Sequence, residues 1–414
     1  MQAVGIVIEY NPFHNGHQWH LQAAKEQSGC PFVVGVMSGN FVQRGEPALF
    51  DKWKRAEMAI RGGVDLIIEL PTVFAVRSAQ YFAMGGIRLL HSLGVVSHIC
   101  FGAEYANLTT LKKIATATND EKIIHSMHMY LKTGKTYAAA LGQSLKNLYD
   151  ISPDLTASPN NILAIEYLRA IEKFAPHLIP IPVTRQQSQY NDTAITAPYS
   201  SATAIRKALL HSMSLTDEIK FAIPTTTATM IHHLLEEQRG PVTASNFSSI
   251  ILAQLRTTNL ERLAGLPSVS EGLHYKIREC ALQAANLVQF YSLLKSKRYP
   301  YTRLQRIITH SLLGTTQQQL TVFDELGPLY ARVLAFNDQG RLLLKQMQQY
   351  SSVPVITKTT HFLNSKDRNM KNLTPLQNML SIDTLASDIY ALGMPPSPWN
   401  TGGWDFRYPA LYIP

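Results

Sequence analysis

The chain has 414 residues, 45% of them hydrophobic and 16% charged, a balance that excludes a disordered chain and leaves room for two or three domains. Its net charge of +9 is uneven: residues 1–200 carry about +2 and residues 201–414 about +7, so a polyanion would meet mainly the C-terminal half. The three cysteines, Cys30, Cys100 and Cys280, lack CxxC spacing, which speaks against a disulfide framework and a cysteine zinc site. No apolar run approaches about 18 residues, so the chain reads as cytoplasmic with no membrane span. In chain order, the β-branched run 3–9 predicts a buried strand that stops at Asn11-Pro12, and a helix follows over 15–27. Residues 32–38 form a second strand, 51–61 a helix with Asp51 as N-cap, 64–69 a third strand, 77–93 a helix closed by Gly94, and 95–101 a fourth strand.

Four alternations of strand and helix in about 100 residues indicate an α/β fold, a doubly wound parallel sheet of Rossmann-like type. Ligands of such sheets bind beyond the carboxyl ends of the strands, where the segments 10–17, 38–46, 70–77 and 102–104 converge. Residues 106–150 read as a polar helical insertion, 160–174 as a helix, 178–184 as a strand, and 200–210 as a helix capped by Ser200 or Ser201. Beyond 210 helices dominate, at 246–264, 273–297, 302–313, 340–349 and 373–392, with β-like stretches at 330–336 and 354–360. The expected division is therefore a Rossmann-like nucleotide-binding domain over 1–210 and a mostly helical, basic domain over 211–414.

The segment EYNPFHNGHQWH (9–20) carries the sharpest chemical signal. His14 and His17 are three apart across a helix start and can share one face. Asn15-Gly16 permits close approach of a phosphate, and the free N–H groups of a helix N-terminus favour an anion. Two imidazoles there can donate to triphosphate oxygens while charge builds on the α-phosphate and the leaving pyrophosphate. A metal set of His14, His17 and His20 is the weaker alternative, because neither an HExxH glutamate nor a cysteine accompanies it. In SGNFVQRGEPALFDKWKR (38–55), Arg44, Lys52 and Arg55 surround a loop on the ligand edge. They can reach an anion such as pyrophosphate at that edge; the alternative is that Lys52 and Arg55 lie on a solvated helix face.

The stretch GIVIEYNPFHNGHQWHL resembles the start of the bacterial tRNA(Met) cytidine acetate ligase family, within the HxGH nucleotidyltransferase superfamily. The resemblance continues through residues 37–71, FGAE (101–104), SPNNILAIEYLRAI (158–171) and RLQRIITHSLLG (303–314). It implies an ATP-dependent ligase that makes acetyl-adenylate and passes acetyl to N4 of the wobble cytidine of elongator tRNA(Met). The product is N4-acetylcytidine. It further implies an ATP cradle of Val7, Ile8, Glu9, Tyr10, Asn11, Pro12, Phe13, His14, Asn15, Gly16, His17, Gln18, Trp19 and His20. To these it adds Gly102, Asn161 (with Asn160 as near alternative) and Arg185. The run 199–206, YSSATAIR, is similar to the ISSTxIR helix start of nucleotidyltransferases but has Ala202 where Thr is usual. Ser200, Ser201 and Arg206 are candidate phosphate contacts. Mg²⁺ is expected on the triphosphate, with no protein ligand assigned.

The stretch 295–306 brings Lys295, Lys297, Arg298, Arg303 and Arg306 together with Tyr299 and Tyr301, and no acidic residue occurs between Glu279 and Asp324. Cations neutralise phosphates and tyrosines stack on unpaired bases, so these are candidate tRNA contacts. Two other readings compete: an adenylyltransferase of a small phosphorylated metabolite, and a non-catalytic RNA-binding factor.

Overall fold

The computed structural model describes residues 2–185, 195, 198–296 and 298–414. One sheet organises it, in the order β5-β4-β1-β2-β3-β6-β7, with β8 also on β6. Five strands are parallel: β1 (Ala3–Ile8), β2 (Phe32–Ser38), β3 (Leu66–Leu70), β4 (Val96–Ala103) and β5 (Ile179–Thr184). Side chains alternate between the two faces, as period two requires. In β2, Phe32, Val34 and Val36 join the core on one face, while Val33 and Met37 join the core on the other. Helices cover both faces, which is why the central strands are mostly apolar. The helices Ala79–Ser92 and Pro159–Phe174 pack on the first face; α1 (Asn15–Ser28) and α2 (Lys52–Arg61) pack on the second.

The parallel βα alternation follows the sequence expectation, and Asp51 caps α2 by accepting from the Trp53 and Lys54 amides at 3.1 Å. Three helices, Leu108–Ala117, Glu121–Lys132 and Tyr137–Tyr149, fill the polar stretch after β4. Two long helices of the C-terminal half are each broken in two. The helix expected over 246–264 splits at Asn259, whose side chain caps a new start at Leu260; that over 273–297 splits at Asn286, which accepts from the Gln289 amide. Asparagine competes for backbone donors, and here it starts a fresh helix each time.

The sheet does not stop at the expected boundary near 210. Strand β6 (Ala331–Phe336) pairs antiparallel with β3, pairing Leu66 with Phe336 and Glu69 with Arg332. Strands β7 (Val355–Ile356) and β8 (Leu411–Tyr412) extend it further. A third core, built on Phe247, Leu255, Phe290, Leu304 and Tyr390, belongs to the helices of the C-terminal half.

An ion cluster ties the two halves together. The buried Lys52 Nζ lies 2.8 Å from Glu69 Oε1 and 2.7 Å from Asp405 Oδ1, and Arg332 bridges the same two carboxylates. Arg55, equally buried, donates to the carbonyls of Phe50, Ser38, Glu9 and Gly39. Both earlier alternatives for Lys52 and Arg55 are thus corrected: they neither reach a ligand nor face water. Their partners lie far away in sequence or are backbone atoms.

Candidate active site

The first helix begins with a histidine as its cap. His14 is extended (φ −142°, ψ 171°), and its Nδ1 accepts from the Gly16 amide at 3.1 Å. His17 reaches back, its Nδ1 accepting from the His14 amide at 3.3 Å. This reciprocal pattern is a capping box in which imidazoles replace the usual Ser and Glu. It also stacks the two rings, with centroids 3.6 Å apart and planes at 27°. Tyr10 and Phe13, both buried, form the floor, at 4.5 Å and 5.8 Å from the His17 ring. Tyr10 turns the chain into this loop with φ +44°, a left-handed conformation unusual for an aromatic residue.

Electrostatics then decide the protonation state. Burial, reinforced by Arg185 and Arg206, pushes His14 down to about 3. Burial followed by His14, Arg185 and His20 holds His17 well below its ordinary value, and burial with Arg185 takes His20 to about 4. The rings are therefore neutral at physiological pH. A neutral imidazole whose Nδ1 accepts carries its proton on Nε2. His14 and His17 thus each present one Nε2–H donor, beside the N-terminus of α1.

Loops from the other strand ends gather around this pair. Glu9 Oε1 accepts from the Gln43 amide at 2.6 Å, and Asn11 Oδ1 from the Leu49 amide at 2.8 Å, tying the loop after β1 to the loop after β2. Arg206 donates to the Asn11 carbonyl at 2.9 Å and to Thr203 Oγ1 at 3.2 Å. Asn15 Nδ2 donates to Pro198 O at 3.2 Å and Phe221 O at 2.9 Å. The starts of α1 and of the helix Ala202–Ser212 are thereby brought together. Ser201 is the cap of that second helix, accepting from the Ala204 amide at 3.1 Å, and Ser200 is buried beside it.

Arg185 follows β5, its amide bonded to Ala103 O at 3.1 Å, and its charge acts on all three histidines. A Cβ at Gly102 would lie 3.1 Å from Arg185 Cγ, so the bare glycine makes room for the arginine stem. Asn161 is buried and its Oδ1 accepts from the Tyr105 amide at 3.0 Å. The start of its helix is capped instead by Glu104, whose Oε2 accepts from the Asn161 amide at 2.9 Å and whose Oε1 accepts from Asn160 Nδ2 at 2.6 Å. Sequence reasoning gave Glu104 no role; its place directly after β4 was the available signal.

Val7, Ile8, Pro12 and Phe13 are framework of this loop, Ile8 and Phe13 in the core of the second face. Gln18 and Trp19 look elsewhere: with Asn15 and Tyr199 they line a cavity of about 510 Å³ on the outer side of α1, which the His14 and His17 rings do not line. His20 Nε2 faces Cys100 Sγ at 3.5 Å. Among the described residues, no group of three or more His, Cys, Asp or Glu is arranged to hold a metal ion.

The basic stretch divides. Lys297 lies outside the described residues. Lys295 is exposed, Arg298 pairs with Glu271, and Arg303 donates to Ser268 O at 2.8 Å and to Ser270 Oγ at 3.1 Å. Tyr299 is buried in the third core, so only Tyr301 of the two tyrosines, 44% exposed, can offer a stacking face. Arg306 stands apart, on the helix Tyr301–Leu312 where it packs on the loop after β2.

A family model described as HIGH Nucleotidyl Transferase matches residues 1–401. The tRNA(Met) cytidine acetate ligase of Acetivibrio thermocellus is 37% identical over 416 residues, covering 98% of each chain. That of Thermoanaerobacter sp. is 39% identical over 418 residues, covering 100% of each. The crystal structure of apo Thermotoga maritima TmcAL superposes over 100% of both chains with a TM-score of 0.92 at 30% identity. The same protein bound with alpha-thio ATP gives 0.90 at 29% identity. The chain belongs to the tRNA(Met) cytidine acetate ligase family of HIGH nucleotidyl transferases.

Proposed function

We propose that the chain activates acetate with ATP at the mouth of α1 and passes the acetyl group to N4 of the wobble cytidine of elongator tRNA(Met). An acetate oxygen attacks the α-phosphorus, the bond to the bridging oxygen of the β-phosphate breaks, and pyrophosphate leaves. The cytidine N4 then attacks the acetyl carbonyl carbon, the bond to the adenylate oxygen breaks, and AMP leaves as N4 gives up a proton. What this chain contributes is electrostatic and positional. The observation that supports the reading most is the stacked, neutral pair His14–His17, with its two Nε2–H donors beside the N-terminus of α1.

In this reading the segment Val7 to His20 cradles ATP, with His14 and His17 on the phosphates. Tyr10 and Phe13 serve as the floor under the rings. Gly102 leaves room for Arg185, which supplies positive charge, and Asn161 keeps the 104–105 turn in place. Arg206 and the helix start at Ser200 and Ser201 face the same phosphates from the second side. Mg²⁺ would accompany the triphosphate and neutralise its charge, with no residue of the chain assigned to hold it. Residues 1–210 supply most of the ATP site. Residues 211–414 supply the RNA surface, with Lys295, Lys297, Arg298, Arg303 and Arg306 as contacts. Among the described residues no helix is long and apolar enough to cross a membrane, and a cytoplasmic location goes with a tRNA substrate.

The test is to incubate the protein with ATP, labelled acetate and bulk bacterial tRNA. Acid-stable label in RNA, released as N4-acetylcytidine on digestion, is the expected result. Transfer of AMP to a metabolite with no label in RNA would overturn it in favour of an adenylyltransferase. RNA binding without any ATP consumption would point to a non-catalytic factor.

A further inference from the structure

The loop after β2 is built into the helix Tyr301–Leu312. Gly45 has φ +81°, and a Cβ on it would lie 2.5 Å from the backbone nitrogen of Arg306, so only glycine allows this approach. Thr309 Oγ1 donates to the Gly45 carbonyl at 2.7 Å, and Gln305 Nε2 donates to Glu46 Oε1 at 2.6 Å. On its other side the loop holds the ATP segment, through Gln43 to Glu9. Arg44 therefore stands between the two regions. Its charge acts on Arg206, which is bonded to Asn11 beside His14, and also on Arg306.

Successive charge interactions link four arginines: Arg44 acts on Arg206 and on Arg306, and Arg303 acts on Arg306. The carboxylates of Glu46 and Glu9 lie near enough to favour the charge of Arg206. Among the described residues, the charges that act most on Arg306 are those of other arginines: Arg303, Arg77 and Arg44. Arg77 has its charge matched by a bidentate pair with Asp324, at 3.0 and 2.9 Å. Arg303 donates to neutral oxygens. Burial and these like charges push Arg306 down to about 10. A half-buried guanidinium crowded by its own kind is what an oxyanion from outside relieves.

We infer that Arg44 and Arg306 together form a phosphate clamp for the RNA backbone next to the target cytidine, holding its N4 amine over the site where the acyl-adenylate forms. The inference rests on the proposed reaction and adds the position of the substrate. The geometry suits the role. The two arginines come from the two halves of the chain but are held in fixed relation by Gly45 and Thr309, and they sit one step beyond Arg206. A triphosphate oxygen is the other source of the same chemistry.

The test uses full-length protein and three readouts: tRNA(Met) affinity as a function of salt, KM for tRNA in acetyl transfer, and KM for ATP in acetate-dependent ATP–pyrophosphate exchange without tRNA. Arg44→Ala, at an exposed position, is the main variant; Arg306→Ala and the charge-keeping Arg44→Lys accompany it. For Arg44→Ala the logarithmic salt slope should shrink by about 0.7, one single-strand phosphate contact. KM for tRNA should rise about tenfold, KM for ATP should stay within about twofold, and Arg44→Lys should restore most of the affinity. An unchanged salt slope in both alanine variants overturns the clamp. So does a rise in KM for ATP that matches the rise for tRNA, which would assign these arginines to the nucleotide. The slope is read from binding alone, so a wild type that binds tRNA but transfers no acetyl counts against the reaction and not against the clamp.

Discussion

At the scale of single residues, the same two side chains serve folding and chemistry. Each Nδ1 of His14 and His17 closes a helix cap, and that bond leaves Nε2–H as the group available to phosphate. The two roles are separable. Asparagine is a good N-cap, so His14→Asn should keep the melting temperature close to wild type. The same variant, and His17→Ala, should slow acetate-dependent ATP–pyrophosphate exchange by about 10²–10³-fold, the usual size for a lost transition-state donor. Loss of exchange only in parallel with loss of folding would assign the histidines to structure alone. The buried imidazoles also set a pH dependence of stability. His14 and His310 are held at about 3 and His20 at about 4, each chiefly by burial, while an unfolded chain protonates near 6.5. As pH falls below about 6.5, the unfolded chain takes up protons that the folded one refuses. Stability therefore drops through the window from about 6.5 to about 4, by up to about 1.4 kcal/mol per pH unit for each such group. Urea midpoints measured from pH 7.5 to pH 5 should show this fall, and His310→Gln, outside the ATP segment, should make it shallower.

At the scale of elements, the histidine turn was legible because everything it needs is local: a strand end, a glycine between two histidines, and a helix start within eight residues. The contacts that surround it were not. Glu104 meets Asn161, and Arg206 meets Asn11, across 57 and 195 residues, and no local pattern records such pairs. Lys52 and Arg55 mislead for a physical reason. Charged side chains on a helix belong in water unless paired, and the carboxylate that pairs Lys52 with the C-terminal segment is 353 residues away, at Asp405. Lys52→Met should therefore cost about 3–5 kcal/mol, measured by chemical denaturation, because Glu69 and Asp405 keep their buried charge with one cation fewer. A loss under about 1 kcal/mol would mean that water enters the cluster. Gly45→Ala should destabilise by at least about 1–2 kcal/mol from its left-handed backbone alone. It should also impair acetyl transfer to tRNA more than pyrophosphate exchange, since it pushes the loop off the Arg306 backbone.

At the scale of the molecule, the βα alternation announced the parallel half of the sheet, but not how it ends. Residues 330–336 read as a β-like stretch with no visible partner; they are β6, which pairs antiparallel with β3 across the expected boundary. Without residues beyond 210, β3 would become an open hydrophobic edge and Lys52 would lose Asp405. A fragment of residues 1–210 is therefore expected to fail to fold, judged by circular dichroism and amide dispersion in NMR spectra, and a folded fragment would show that the sheet stands without its C-terminal strands. This interlock holds the proposed ATP site and the proposed RNA surface in one framework, which the proposed two-step transfer between nucleotide and RNA requires. The most direct test of the account is acetate-dependent exchange of labelled pyrophosphate into ATP, comparing wild type with His14→Asn and His17→Ala. The account predicts exchange that needs acetate in the wild type and nearly vanishes in both folded variants. Exchange that proceeds at the wild-type rate without either imidazole would contradict it.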